Sequence, residues 1–201
     1  MKKIFGIGFH KTGTRSLHYA LTRVGINSIH WPFKYENQIN KNMSHKEILE
    51  VLAPCLKAYE GFNDVPFPTL YAELERIYPN SKFILTERDS ESWWQSLISH
   101  WYLLEKTYLL ASFELIQYNS YEPYITKATL NDKDIFINKF EKHNQTVRHY
   151  FANRPDDLLI INWKNGEYAF SWEKLCSFLK VDMPEDKSVP HYRGREIVEW
   201  D

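Results

Sequence analysis

The chain has 201 residues, with 25 Lys and Arg against 26 Asp and Glu for a formal net charge of −1. That length suits one domain with a sizeable core, and the balanced charge excludes the global basic field that gathers nucleic acid or binds an acidic membrane surface. Cys55 and Cys176 lack metal-ligand spacing and read as reduced thiols, while the apolar run behind Lys2 and Lys3 breaks at Gly6, Gly8 and His10, too early for a leader or a membrane span. The expectation is a soluble, cytoplasmic protein. Its 7 Trp, 13 Tyr and 12 Phe exceed the evident needs of the core, which points to a pocket for a flat or apolar ligand.

Lys3 to Gly8 reads as a buried first strand. It runs into a small, polar turn through His10, Lys11, Thr12, Gly13 and Thr14 that opens a helix, along which Leu17, Ala20, Leu21 and Val24 recur at helical spacing until Gly25. A helix N-terminus carries backbone N–H groups without internal partners and a partial positive charge, so phosphate or sulfate oxygens fit there. Lys11 adds a full charge. Gly8 and Gly13 have the spacing of the loop that cradles nucleoside triphosphates, but Thr14 and Arg15 stand where that loop has Lys and Ser or Thr. The lysine lies inside the loop instead, which argues for a nucleotide other than ATP or GTP.

A short strand is expected near Ile26 to Ile29, then a loop from Trp31 to Met43. Ser44 opens a capping box with Glu47, and Ile48, Leu49, Leu52 and Leu56 make a helical face despite Pro54. Gly61 to Val65 reads as strand. Pro66 and Pro68 introduce a helix with Leu70, Tyr71, Leu74, Ile77 and Tyr78 on one side, closed by Pro79-Asn80. Lys82 to Glu87 is a clear strand, followed from Ser90 by a helix with Trp93, Trp94, Leu97, Ile98 and Trp101 on its apolar face. Residues 102–131 are expected to form a helical insertion covering the substrate. A long helix from Asp132 to Phe151, a strand from Leu158 to Asn162 and a helix from Ser171 to Leu179 complete the series. Alternating strands and helices imply a parallel sheet covered on both faces, with the loops after Gly8, Asn63 and Glu87 meeting at one edge. His143 and His149 do not share a helical face and make no ligand pair.

Arg88 leaves its strand at that ligand-facing edge. Ser96 follows eight residues later, two turns into the next helix, where both side chains can reach one phosphate. With Gly13-Thr14-Arg15-Ser16-Leu17 in the first loop, the chain resembles the P-loop sulfotransferases that use 3'-phosphoadenosine 5'-phosphosulfate (PAPS), in particular their compact group with a Gly-Thr-x-Ser-Leu loop. The resemblance implies an α/β three-layer sandwich with a central parallel sheet, like that of the P-loop NTPases, over residues 1–201. It places the 5'-phosphosulfate on Lys11, Thr12, Gly13 and Thr14, with His10, Arg15 and Ser16 beside it, and the 3'-phosphate on Arg88 and Ser96. Arg193, in Tyr192-Arg193-Gly194, faintly matches a closing loop of the family.

Sulfuryl transfer builds charge on the leaving oxygen, so a cradle of N–H groups and Lys11 can drive it without a metal. The acceptor must also lose a proton. Many members of the family carry His-x-Pro about two dozen residues before the Arg. Here Asp64-Val65-Pro66 takes that place, 24 residues before Arg88, which makes Asp64 the first candidate base and His30 and His10 the alternatives. Asp64 also suits the cap of the following helix. The acceptor is a hydroxyl or amine on a small molecule or glycan, in a pocket expected from Trp31 to Tyr35 and Trp101 to Tyr124. Two other readings stay open: a small-molecule kinase, favoured by the Gly8/Gly13 spacing, and a nucleotide-binding module without catalysis.

Overall fold

A computed structural model of the protein describes residues 2–32, 38–40, 42–104, 130–163 and 169–190. The residues expected to form the acceptor pocket from Phe33 to Tyr35, most of the predicted insertion, and Arg193 lie outside the described residues, as does the side chain of Trp101.

Five strands, β1 (Ile4–Gly6), β2 (Ser28–His30), β3 (Gly61–Asn63), β4 (Lys82–Glu87) and β5 (Leu158–Asn162), form one sheet in the order β2-β3-β1-β4-β5. Every pairing is parallel. The helices are α1 (Thr14–Arg23), α2 (His45–Ala58), α3 (Tyr71–Ile77), α4 (Ser90–Leu104), α5 (Lys133–Tyr150) and α6 (Trp172–Leu179). Side chains alternate across the sheet with the strand period of two. Phe5, Phe62, Phe83 and Leu85 face a core built with Leu52 and Leu56 of α2, Leu74 of α3 and Val147 of α5. Ile4, Ile84 and Ile161 face the opposite core, made by Leu17, Ala20 and Leu21 of α1 and Leu175 and Leu179 of α6. The result is the three-layer α/β architecture that the alternation of elements predicts. Each of the buried Leu, Ile, Val and Phe side chains among these contributes about 1.5–3 kcal/mol relative to exposure.

Local chemistry sets the boundaries. β4 and β5 have the predicted limits. β1 stops at Gly6 rather than Gly8, because the chain there crosses so close to β4 that a Cβ on Gly8 would lie 2.1 Å from Thr86 Oγ1 and 2.3 Å from its carbonyl oxygen. Gly8 is therefore demanded by packing. β2 begins at Ser28, since the Ile26 N–H closes back on the Leu21 carbonyl at 3.0 Å and Asn27 is engaged with Glu60 and Gly61. β3 ends at Asn63 because Asp64 turns left-handed, with φ of 76°. The helix expected after Pro66 is split into a 3-10 turn, Phe67–Thr69, and α3, as befits two prolines without N–H groups. The Ser44 capping box is present: the Ser44 hydroxyl accepts from the Glu47 N–H, and the Glu47 carboxylate accepts from the Ser44 N–H.

A third apolar cluster sits at the carboxyl edge. Phe9, Trp93, Trp94 and Leu97 meet Phe136 and Phe140 of α5, and Trp93 stacks on Phe140 at 4.5 Å. His143 closes this cluster. Fully buried, it donates from Nε2 to the Ile7 carbonyl at 2.7 Å and stacks on Phe9 at 4.2 Å. Burial pushes its pKa down to about 4, against the opposing effect of the Ile7 hydrogen bond. Between pH 6.5 and about 4 the unfolded imidazole binds a proton that the folded one refuses, so stability rises with pH across that window and falls on acidification. Denaturant titrations should show a loss on the order of 3 kcal/mol from this group between pH 7 and 4. His143→Gln, which keeps a donor for Ile7, should show a shallower pH slope; an unchanged slope would contradict the assignment.

Candidate active site

The loop between β1 and α1 is fastened at almost every residue. Trp93 Nε1 donates to the His10 carbonyl at 2.9 Å. Arg88 Nη1 donates to the Lys11 carbonyl at 2.9 Å. Thr12 turns inward: its hydroxyl bonds the Phe9 carbonyl at 2.5 Å and Thr86 Oγ1 at 2.6 Å, and its N–H also reaches Phe9 at 3.3 Å. Thr12 thus shapes the loop from below. Lys11 and Gly13 have φ of 65° and 96°, left-handed values that wind the backbone into a concave turn before the first N–H groups of α1. Gly13 suits this turn because a side chain would strain it.

Thr14, the first residue of α1, links the loop to β2 and β3. Its hydroxyl donates to Asp64 Oδ2 at 2.9 Å and lies 3.1 Å from His30 Nε2. His30 Nε2 also lies 3.0 Å from Asp64 Oδ2, while the other carboxylate oxygen accepts from the Val65 N–H at 2.8 Å. Both residues are buried, at 8% exposure each. Burial alone would raise the Asp64 pKa. The hydrogen bond and charge of His30, then the charge of His10 and the Val65 N–H, outweigh it and hold the carboxyl well below the usual carboxylate range. Asp64 is therefore ionised across ordinary pH and has little appetite for a proton. An ionised Asp64 accepts a hydrogen bond from His30 Nε2–H, which leaves Nδ1 as the unprotonated nitrogen of a neutral ring. Nδ1 is buried and has no hydrogen-bond partner among the described residues. The cap role expected for Asp64 as an alternative is not taken up, since Pro66 holds the N-cap position of the 3-10 turn.

Arg88 does not pair with its acidic neighbours. Glu87 is held in two hydrogen bonds by Arg148, and Glu91 pairs with Lys133. Arg88 donates instead to Lys11 and, through Nε, to Ser92 Oγ at 3.1 Å. Burial pulls the guanidinium below its usual value, offset in part by Asp89, and it remains charged as arginine does. A cleft of about 290 Å³ opens beside it, lined by Arg88, Ser90, Phe140, Asn144 and Arg148 among others. Ser96 lies half-buried two turns along α4 and does not line this cleft.

The structure thus brings together Lys11, Thr14, His30, Asp64 and Arg88, with His10 buried and Arg15 and Ser16 on the first turn of α1. Sequence reasoning treated Trp93 as core alone; its indole N–H, which a buried tryptophan must satisfy, was the signal for its hold on the loop. Two further neighbours carried no such signal. His18, pushed down to about 4 by burial and by the nearby charges of His30 and Arg15, hydrogen bonds Ser28 Oγ at 3.1 Å. Trp163, just beyond β5, packs its indole on Gly13. Among the described residues, no group of three or more His, Cys, Asp or Glu side chains is arranged to hold a metal ion, and no helix is long and apolar enough to cross a membrane.

Comparison with known proteins gives two findings. A curated protein of Aspergillus versicolor, Ava biosynthesis cluster protein M, is similar to the chain, with 25% identity over 222 residues that cover 94% of this chain and 80% of that protein. The family model for the sulfotransferase domain matches residues 3–197. That match takes in every element of the sheet and its carboxyl edge, and the chain belongs to the sulfotransferase family.

Proposed function

We propose that the protein transfers a sulfuryl group from PAPS to a hydroxyl or amine of a small molecule. The observation that carries this reading is the Lys11–Thr14 turn, a left-handed, fastened loop at a helix N-terminus with Arg88 bonded to its backbone. The residues present fit PAPS. The N–H groups of Gly13 and Thr14 and the Lys11 ammonium suit a 5'-phosphosulfate, with His10, Arg15 and Ser16 adjoining, while Arg88 keeps N–H groups beyond its bonds to Lys11 and Ser92 for a 3'-phosphate shared with Ser96. When bound, PAPS supplies a sulfuryl group whose bond to the 5'-phosphate oxygen breaks as a bond to the acceptor oxygen or nitrogen forms. Lys11 and the loop N–H groups meet the negative charge that develops on that phosphate. Asp64 holds the His30 ring with its proton on Nε2, so that Nδ1 takes the acceptor proton, the arrangement by which a carboxylate orients a catalytic imidazole. Thr14 spans both halves of the site, its N–H toward the anion and its hydroxyl on the pair. Similarity to a protein named for a biosynthesis cluster favours a small-molecule acceptor over a glycan.

Labelled PAPS with a broad acceptor panel should give sulfated product without added magnesium. Lys11→Ala should lower kcat by roughly 100- to 1000-fold, the effect of losing one well-placed oxyanion donor, with an unchanged circular dichroism spectrum. Magnesium-dependent ATP consumption with no affinity for 3',5'-adenosine bisphosphate would establish the kinase instead.

His30→Gln and Asp64→Asn should each reduce kcat by on the order of 100-fold or more. Because the two act as a unit, the double variant should lose little beyond the worse single one. Additive losses, or full activity in His30→Gln, would remove His30 from the base role. Arg88→Ala should weaken binding of the bisphosphate by more than about tenfold, since a charge-assisted phosphate contact is worth about 1.5–3 kcal/mol. Unchanged affinity would contradict the 3'-phosphate assignment.

A further inference from the structure

We propose that Trp163 completes the anion cradle, its indole Nε1–H acting as a neutral side-chain donor to the sulfate or phosphate group held on the Lys11–Thr14 loop. The proposal rests on the reading of that loop as an oxyanion site. Trp163 follows the last residue of β5, and its pyrrole edge lies against Gly13 so closely that a Cβ there would come within 2.3 Å of both Cδ1 and Nε1. The edge that carries the N–H is thus the edge that touches the loop. Nε1 is shielded from solvent and has no hydrogen-bond partner among the described residues, an arrangement that is rare in folded proteins and calls for an explanation.

Among the described residues, four buried side-chain atoms lack a partner: His30 Nδ1, Asn63 Oδ1, Asn144 Oδ1 and Trp163 Nε1. The two asparagine oxygens accept, and His30 Nδ1 is the lone-pair nitrogen when Asp64 holds the Nε2 proton. Trp163 alone can only donate. An unpaired donor pressed on a loop of helix N-terminal amides calls for an acceptor with several oxygens, and a sulfuryl or phosphoryl group is such an acceptor. The indole is also positioned for the task. Phe170 stacks on it at 4.6 Å with rings 20° apart, Trp172 meets Phe170 edge-on at 5.1 Å, and Trp172 Nε1 is tied to the Lys187 carbonyl at 3.0 Å. This aromatic series holds Trp163 against Gly13 from the α6 side. A neutral donor grips oxygens without adding charge, so it complements Lys11 and discriminates by geometry.

The test uses the whole chain labelled with ¹⁵N at its 7 tryptophans. The Trp163 indole resonance is assigned by its absence in Trp163→Phe, or by through-bond connectivity if that variant does not fold. Titration with inorganic sulfate, and separately with 3',5'-adenosine bisphosphate, should move this N–H resonance downfield on saturation. Trp163→Phe, which retains an aromatic ring on Gly13, should bind both ligands about tenfold more weakly. Binding by the wild-type chain with an unmoved Trp163 resonance and equal affinity in Trp163→Phe would overturn the role of Trp163 and leave the loop's function intact. Failure of the wild-type chain to bind either ligand would overturn both.

Discussion

The rest of the structure depends on the fastening of one turn. His10, Lys11 and Thr12 between β1 and α1, and Thr14 at the start of α1, are held by side chains that arrive from elsewhere at the sheet edge: Thr86 on β4 and Arg88 just after it, Trp93 on α4, Asp64 just after β3, and His30 on β2. A short loop left to itself would sample many conformations, and its amides would converge on an anion only after an entropic cost. Here folding has already met that cost. Binding and any transition-state stabilisation can therefore draw on donors that are in place beforehand, the condition under which electrostatic catalysis is strongest.

Holding such a site costs stability elsewhere. Lys11, Trp31 and Asp64 are non-glycine residues with positive φ; Trp31 and Asp64 directly follow β2 and β3, and Lys11 lies in the turn after β1. Strain of this kind is worth about 1–3 kcal/mol per residue and persists only where the surroundings over-determine it. The buried His30–Asp64 pair adds a desolvation cost that its mutual attraction and the hydroxyl of Thr14 must offset, which makes it poor evidence for stability and a candidate for a functional role. The apolar cluster of Phe9, Trp93, Phe136 and Phe140, with His143 beneath it, supplies the rigid backing.

Much of the fold was legible because its signals are local. The apolar runs of β4 and β5 gave their limits directly, and the Ser44–Glu47 spacing gave the start of α2. Boundaries failed where tertiary contact decided them: Gly8 looked like part of a triphosphate loop and is in fact required by the approach of Thr86. In the site, Lys11, Gly13 and Thr14 stood out because a strand running into a glycine-containing turn at a helix N-terminus suits an anion, and Arg88 stood out by its eight-residue spacing from Ser96. The pairing of His30 with Asp64 did not, because the two are 34 positions apart in the chain and only the β2–β3 register makes them neighbours. The part of Trp163 was hidden for the same reason, since nothing in one strand's sequence announces which loop its end will touch.

The central claim is that the Lys11–Thr14 turn is an oxyanion cradle for the donor's 5' end. A crystal structure with 3',5'-adenosine bisphosphate tests it most directly. The 5'-phosphate should lie on the N–H groups of Gly13 and Thr14 with Lys11 in contact, the 3'-phosphate on Arg88, and the open space beyond the 5'-phosphate should lead to His30. A bisphosphate bound away from the turn, or a turn whose amides stay unengaged at saturating ligand, would contradict it.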